Sequence, residues 1–111
     1  MATPSALVGR WNIESMDMWD AEAINLVGQG HVTFDDGGGT MAFICVNLSL
    51  DCRGTGTKGT SLAFSFIGDD EGDEVSGSGS ARITAPGRIT GKIRFHRGDE
   101  SGFVARRAGG T

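Results

Sequence analysis

The sequence predicts an all-β protein, a single antiparallel up-and-down β-barrel of about eight short strands with a short lid loop or helical turn after the first. Three observations lead there. Apolar and polar residues alternate with period two in short runs, and no apolar stripe at helical spacing extends to about ten residues. Clusters of Gly, Asp, Asn and Ser break those runs at close intervals. Glycine is abundant and proline scarce, 19 residues against 2, which suits tight turns and closely passing strands. The regular apolar alternation separates such a chain from disordered sequence. At 111 residues the chain can bury one modest core, so residues 1–111 read as one domain, with an ordered part from about 7 to about 107.

The elements follow in order. Trp11 to Met18 reads as the first strand, with Trp11 and Ile13 on one face and Asn12 and Glu14 on the other. Gly30 to Phe34 is the second, ended by the turn sequence Asp35-Asp36-Gly37-Gly38-Gly39. Thr40 to Val46 and Leu50 to Thr55 are the third and fourth, and Gly54, Gly56 and Gly59 close the latter. Ser61 to Ile67 gathers Leu62, Phe64 and Phe66 on one face. Ser76 to Thr84 puts Gly77, Gly79, Ala81 and Ile83 on one face, and Ala85-Pro86-Gly87 turns it into the next strand. Arg88 to His96 is the clearest alternation, with Ile89, Gly91, Ile93 and Phe95 opposite Thr90, Lys92, Arg94 and His96. Ser101 to Arg106 is the eighth strand. Between Asp17 and Gln29 the alternation lapses. That stretch reads as a lid or packed loop, with Asp20 able to cap a helical turn through Ala21-Glu22-Ala23. The first few residues and Ala108 to Thr111 are expected to be loose ends.

Charge narrows the function classes. A formal net charge of -4 repels a nucleic-acid backbone, and Arg94, Arg97, Arg106 and Arg107 are interleaved with Asp99 and Glu100. No nucleic-acid partner is expected. The start of the chain lacks the charged and apolar regions of a secretory signal, and no stretch reaches the ~18 apolar residues of a membrane span. A cytoplasmic protein with no membrane partner is the expectation. If Leu48-Ser49 is a two-residue turn, Cys45 and Cys52 face each other across it within disulfide range, but the favoured reading is two half-buried thiols in a reducing compartment.

Gly9-x-Trp11 at the start of the first strand, with Arg106 or Arg107 at the end of the last, resembles the calycin superfamily of lipocalins, fatty-acid-binding proteins and avidins. That resemblance implies a cation stacked on the Trp11 ring where first and last strands meet. A second pattern is similar to a group of short uncharacterised bacterial proteins. It comprises Phe64-Ser65-Phe66, Gly68, Asp70-Glu71, Ser76-Gly77 and Gly79, then Phe95-His96, Gly98-Asp99 and Ser101. It implies a shared fold and no particular activity.

No catalytic constellation, cofactor motif or metal-ligand spacing stands out. The acidic run Asp69 to Glu74 could ligate Ca²⁺ but does not match an EF-hand, and the favoured reading is a solvated turn that blocks edge-to-edge association. His31 could ligate a metal but has no second ligand near it in sequence. The best reading is a non-catalytic barrel that binds a small apolar or amphipathic ligand, contacted by Trp11, Trp19, Phe66 and Phe95. The alternative is a structural or protein-interaction module with a filled barrel, including a homodimer through the barrel wall. A weaker alternative is an enzyme using Asp17, Asp20 and His96.

Overall fold

Alternation of buried and exposed side chains runs along all but one of the predicted strands, and it closes the sheet on itself. The computed structural model describes residues 3–26 and 28–108. Val27 of the lid segment and the expected loose ends at 1–2 and 109–111 lie outside the described residues. Eight strands follow in order: β1 (Gly9–Met16), β2 (His31–Asp35), β3 (Gly38–Phe43), β4 (Val46–Thr55), β5 (Ser61–Asp70), β6 (Asp73–Ala85), β7 (Arg88–Phe95) and β8 (Glu100–Arg107). Each pairs antiparallel with the next, and β8 returns to pair with β1, so no sheet edge is left open. A short helix, α1 (Ala21–Ile24), follows β1, and Asp20 caps it by accepting from the Ala23 amide at 2.9 Å. Among the described residues no helix is long and apolar enough to cross a membrane.

The β3–β4 connection corrects the sequence reading. The turn lies at Ile44-Cys45, where Phe43 pairs with Val46, and not at Leu48-Ser49. The physical reason is continuous alternation: Val46, Leu48, Leu50 and Cys52 are all buried, so β4 runs unbroken through the expected turn. Cys45 therefore sits in the turn and Cys52 in mid-strand opposite Phe64, and both are free thiols. The first strand is also irregular. Its register against β8 shifts between Ile13 and Ser15, a bulge that lets Met16 face inward after Trp11 and Ile13.

Because the barrel runs up and down, its connections alternate between two ends. At one end a 3₁₀ turn, Ser5–Leu7, plugs the opening with fully buried Leu7. Trp11 lies beneath it and donates its indole N–H to the Leu7 carbonyl at 3.0 Å. The Arg107 guanidinium stacks 4.1 Å from the Trp11 ring centre and donates to the carbonyls of Val8 and Ala6 at 2.8 and 2.7 Å. A Cβ on Gly9 would stand 2.5 Å from Arg107 Nη1. Gly9, Trp11 and Arg107 are thus one device that seals this end.

The lumen is filled by side chains set large against small across neighbouring strands. Phe66 faces Gly77, Phe64 faces Gly79 and Gly91 faces Phe103. A Cβ at Gly77 would come within 2.6 Å of the Phe66 ring, and one at Gly91 within 2.5 Å of Phe103. These glycines make room for rings, which leaves the middle of an eight-stranded barrel packed.

Candidate functional site

The opposite end gathers the segment after β1 and the turns β3–β4, β5–β6 and β7–β8. The segment after β1 is fastened at several points. The Gly102 amide donates to Asp17 Oδ2 at 3.1 Å, and the Met18 amide donates to the Ser101 hydroxyl at 3.2 Å. Ile24 is buried in the core, and its carbonyl accepts from the Ile44 amide at 2.8 Å. Trp19 is thereby laid beside Phe43 with ring centres 5.6 Å apart.

From Trp19 a chain of rings descends into the barrel. Phe43 meets Phe95 at 6.4 Å, Phe95 meets Phe66 edge-on at 5.3 Å, and Phe66, Phe64 and Phe34 continue at 6.4 Å steps. Above the upper rings lies a recess of about 520 Å³. Trp19, Phe43, Ile44 and Phe95 form its apolar side, and Asp70, Glu74, His96 and Asp99 lie on its polar side. Its volume falls within the roughly 300–1,000 Å³ of small-molecule sites.

The structure separates the four expected contact residues. Trp19 and Phe95 line this mouth, Phe66 is buried one ring below Phe95, and Trp11 belongs to the sealed end. Phe43, Ile44 and the mouth carboxylates were not singled out as contacts. Strand counting could have found them, since in an up-and-down barrel every second connection shares one end.

Asp17, Asp20 and His96 do not form a constellation. Asp17 and Asp20 are each bonded to a backbone amide, and Asp17 faces a groove on the outer wall while His96 faces the mouth. That outer groove, about 510 Å³, runs among Ser80, Arg82, Thr90 and Lys92 and presents hydroxyl and cationic groups with no exposed ring.

Among the described residues three groups have displaced pKa values. Burial, aided by the Arg10 charge, holds His31 below the ordinary imidazole value; its Nδ1 is buried and has no partner among the described residues. The Glu71 carboxylate beside Cys45 pushes that thiol up. Burial first, then Asp35 and Asp51, raises Cys52 to about 11. Neither thiol is tuned as a nucleophile, which requires a lowered value. Among the described residues no three His, Cys, Asp or Glu side chains are grouped to hold a metal ion. Comparison of the chain with family models, with curated proteins and with solved structures returns no match.

Proposed function

We propose that this protein is a non-catalytic binding barrel that takes one small apolar or amphipathic molecule in its mouth. The observation that carries the reading is the recess of about 520 Å³ floored by Trp19, Phe43 and Phe95. Trp19 and Phe95, half-buried rings over a packed core, offer apolar contact without further rearrangement. Calycin-like kinship accompanies this reading, supported by the Gly9, Trp11 and Arg107 seal. Bacterial origin and cytoplasmic residence go with it as proposals from the sequence pattern.

The uncharged fluorophore N-phenyl-1-naphthylamine tests it. Its emission should rise on mixing with the protein, and Trp19→Ala should weaken binding by about tenfold, one buried ring contact's worth. Equal binding by wild type and Trp19→Ala would place the probe elsewhere and defeat the reading. A second reading, an interaction module that dimerises through its wall, is favoured by the packed lumen and by Ile67, which is 68% exposed on β5. Native mass spectrometry separates the two: a dimer with nothing bound supports the second, and a monomer carrying a small mass that leaves on denaturation supports the first.

A further inference from the structure

We infer that the mouth selects organic cations: an amine or quaternary ammonium group carried on an apolar body. The inference rests on the binding-barrel reading and adds the charge of the ligand.

Two features of the recess combine. Its apolar side is a corner of rings, with Trp19 against Phe43 at 5.6 Å and Phe43 against Phe95 at 6.4 Å. Trp19 and Phe95 are half-buried beside the enclosed Phe43, and the face of such a ring, unlike its edge, attracts a cation placed within about 6 Å of the ring centre. Its polar side carries three carboxylates, Asp70, Glu74 and Asp99, with His96 and Ser76. Among the described residues that line it there is no Lys or Arg. Arg97 lies in the same β7–β8 turn but makes no ion pair with these carboxylates among the described residues.

The wider field has the same sign. Glu71 and Asp73 flank the mouth in the β5–β6 hairpin, and Asp20 and Glu22 belong to the capping segment at this end. At the sealed end the chain places four cations, Arg10, Lys58, Arg88 and Arg107, against Asp35 and Asp36. A cleft lined by one sign of charge with apolar walls concentrates the opposite charge. An anionic amphiphile such as a fatty acid would meet that field as repulsion.

The hairpin also bears a cost that neutral residues would not. Asp70 stands directly opposite Asp73, and Asp69 opposite Glu74. Like charges directly opposite in an antiparallel pair destabilise it. The carboxylates at the mouth therefore work against the stability of the strands that hold them, which is the pattern of a site shaped by its ligand.

The test uses displacement of N-phenyl-1-naphthylamine by three molecules with the same chain: octyltrimethylammonium, octanoate and 1-octanol. The ammonium should displace the probe at a concentration about tenfold below octanoate, and added salt should narrow the gap. The triple variant Asp70→Asn, Glu74→Gln, Asp99→Asn should melt at or above the wild-type temperature, because like-charge pairs are relieved. In it the preference should shrink to within about threefold, as only the ring contribution survives. Octanoate or octanol displacing the probe as well as the ammonium does would overturn the charge selectivity and leave the binding barrel standing. So would a triple variant that keeps the full preference. A probe that never binds would remove the binding reading and this inference with it.

Discussion

At Arg107 three interactions meet: stacking on Trp11 and two hydrogen bonds to the carbonyls of Val8 and Ala6. None is large alone, but together they tie the end of the last strand to the turn that plugs the barrel. Trp11, fully enclosed, carries the larger share. Trp11→Ala should cost about 3–5 kcal/mol in chemical denaturation, the range for deleting a buried indole. Arg107→Ala should cost about 1–2 kcal/mol, since the guanidinium contributes cation–π contact and backbone bonds near solvent. Losses below about 1 kcal/mol for Trp11→Ala would mean the ring is not part of the seal. Cys52 gives a pH signature at the same scale. Its folded value, about 11, lies above the ordinary value of 9.0. A raised value means stability is fully present below pH 9 and falls as pH rises toward 11. The chain has no tyrosine to titrate in that window. Cys52→Ala should flatten the decline relative to its own neutral-pH stability; an unchanged decline would assign it to other groups.

Strands and turns differ in how far the sequence reveals them. Alternation identified β7 and β5 without ambiguity because one face of each is core and the other is water. Turns rich in Gly were equally legible: Pro86-Gly87 sits at the β6–β7 turn with Gly87 at φ 73°, the Pro-then-Gly order of a type II turn. The β3–β4 turn was not legible, and its chemistry explains why. Ile44 adopts φ 55°, a left-handed conformation that β-branched residues rarely take. The surrounding structure holds it there through the Ile24 carbonyl and packing against the core. A tertiary constraint thus overrides local turn preference, and no local signal announces it. Elements also predict their own sensitivities. A side chain at Gly79 would run into the β7 backbone and stand 2.7 Å from Phe64 Cε1. Gly79→Val should destabilise by about 1–3 kcal/mol, as overpacking does. Gly28→Ala, with nothing within 4 Å of the new methyl, should change stability by less than about 0.5 kcal/mol. Similar losses from both substitutions would contradict a lumen packed ring against glycine.

Across the whole molecule the two ends of the barrel differ in kind. One is closed by Leu7, Trp11 and Arg107, and the other leaves a ring-floored recess under carboxylates. The candidate site was half legible for that reason. Trp19, Phe66 and Phe95 were recognisable as large apolar side chains, but Trp11 looked the same in sequence while facing the other end. Which end a residue serves depends on the parity of its strand and on where each turn falls, and the misplaced Leu48-Ser49 turn hid the role of Ile44. The mouth is the proposed seat of the ligand. A ¹H–¹⁵N correlation titration with N-phenyl-1-naphthylamine addresses it most directly, because the two indole N–H signals report the two ends separately. A ligand in the mouth should move the Trp19 indole and the amides of Ile44, Val75, Ser76 and Gly98, with the Trp11 indole fixed. Movement of the Trp11 indole, or of Arg82 and Thr90 on the outer wall, with Trp19 unmoved would contradict it.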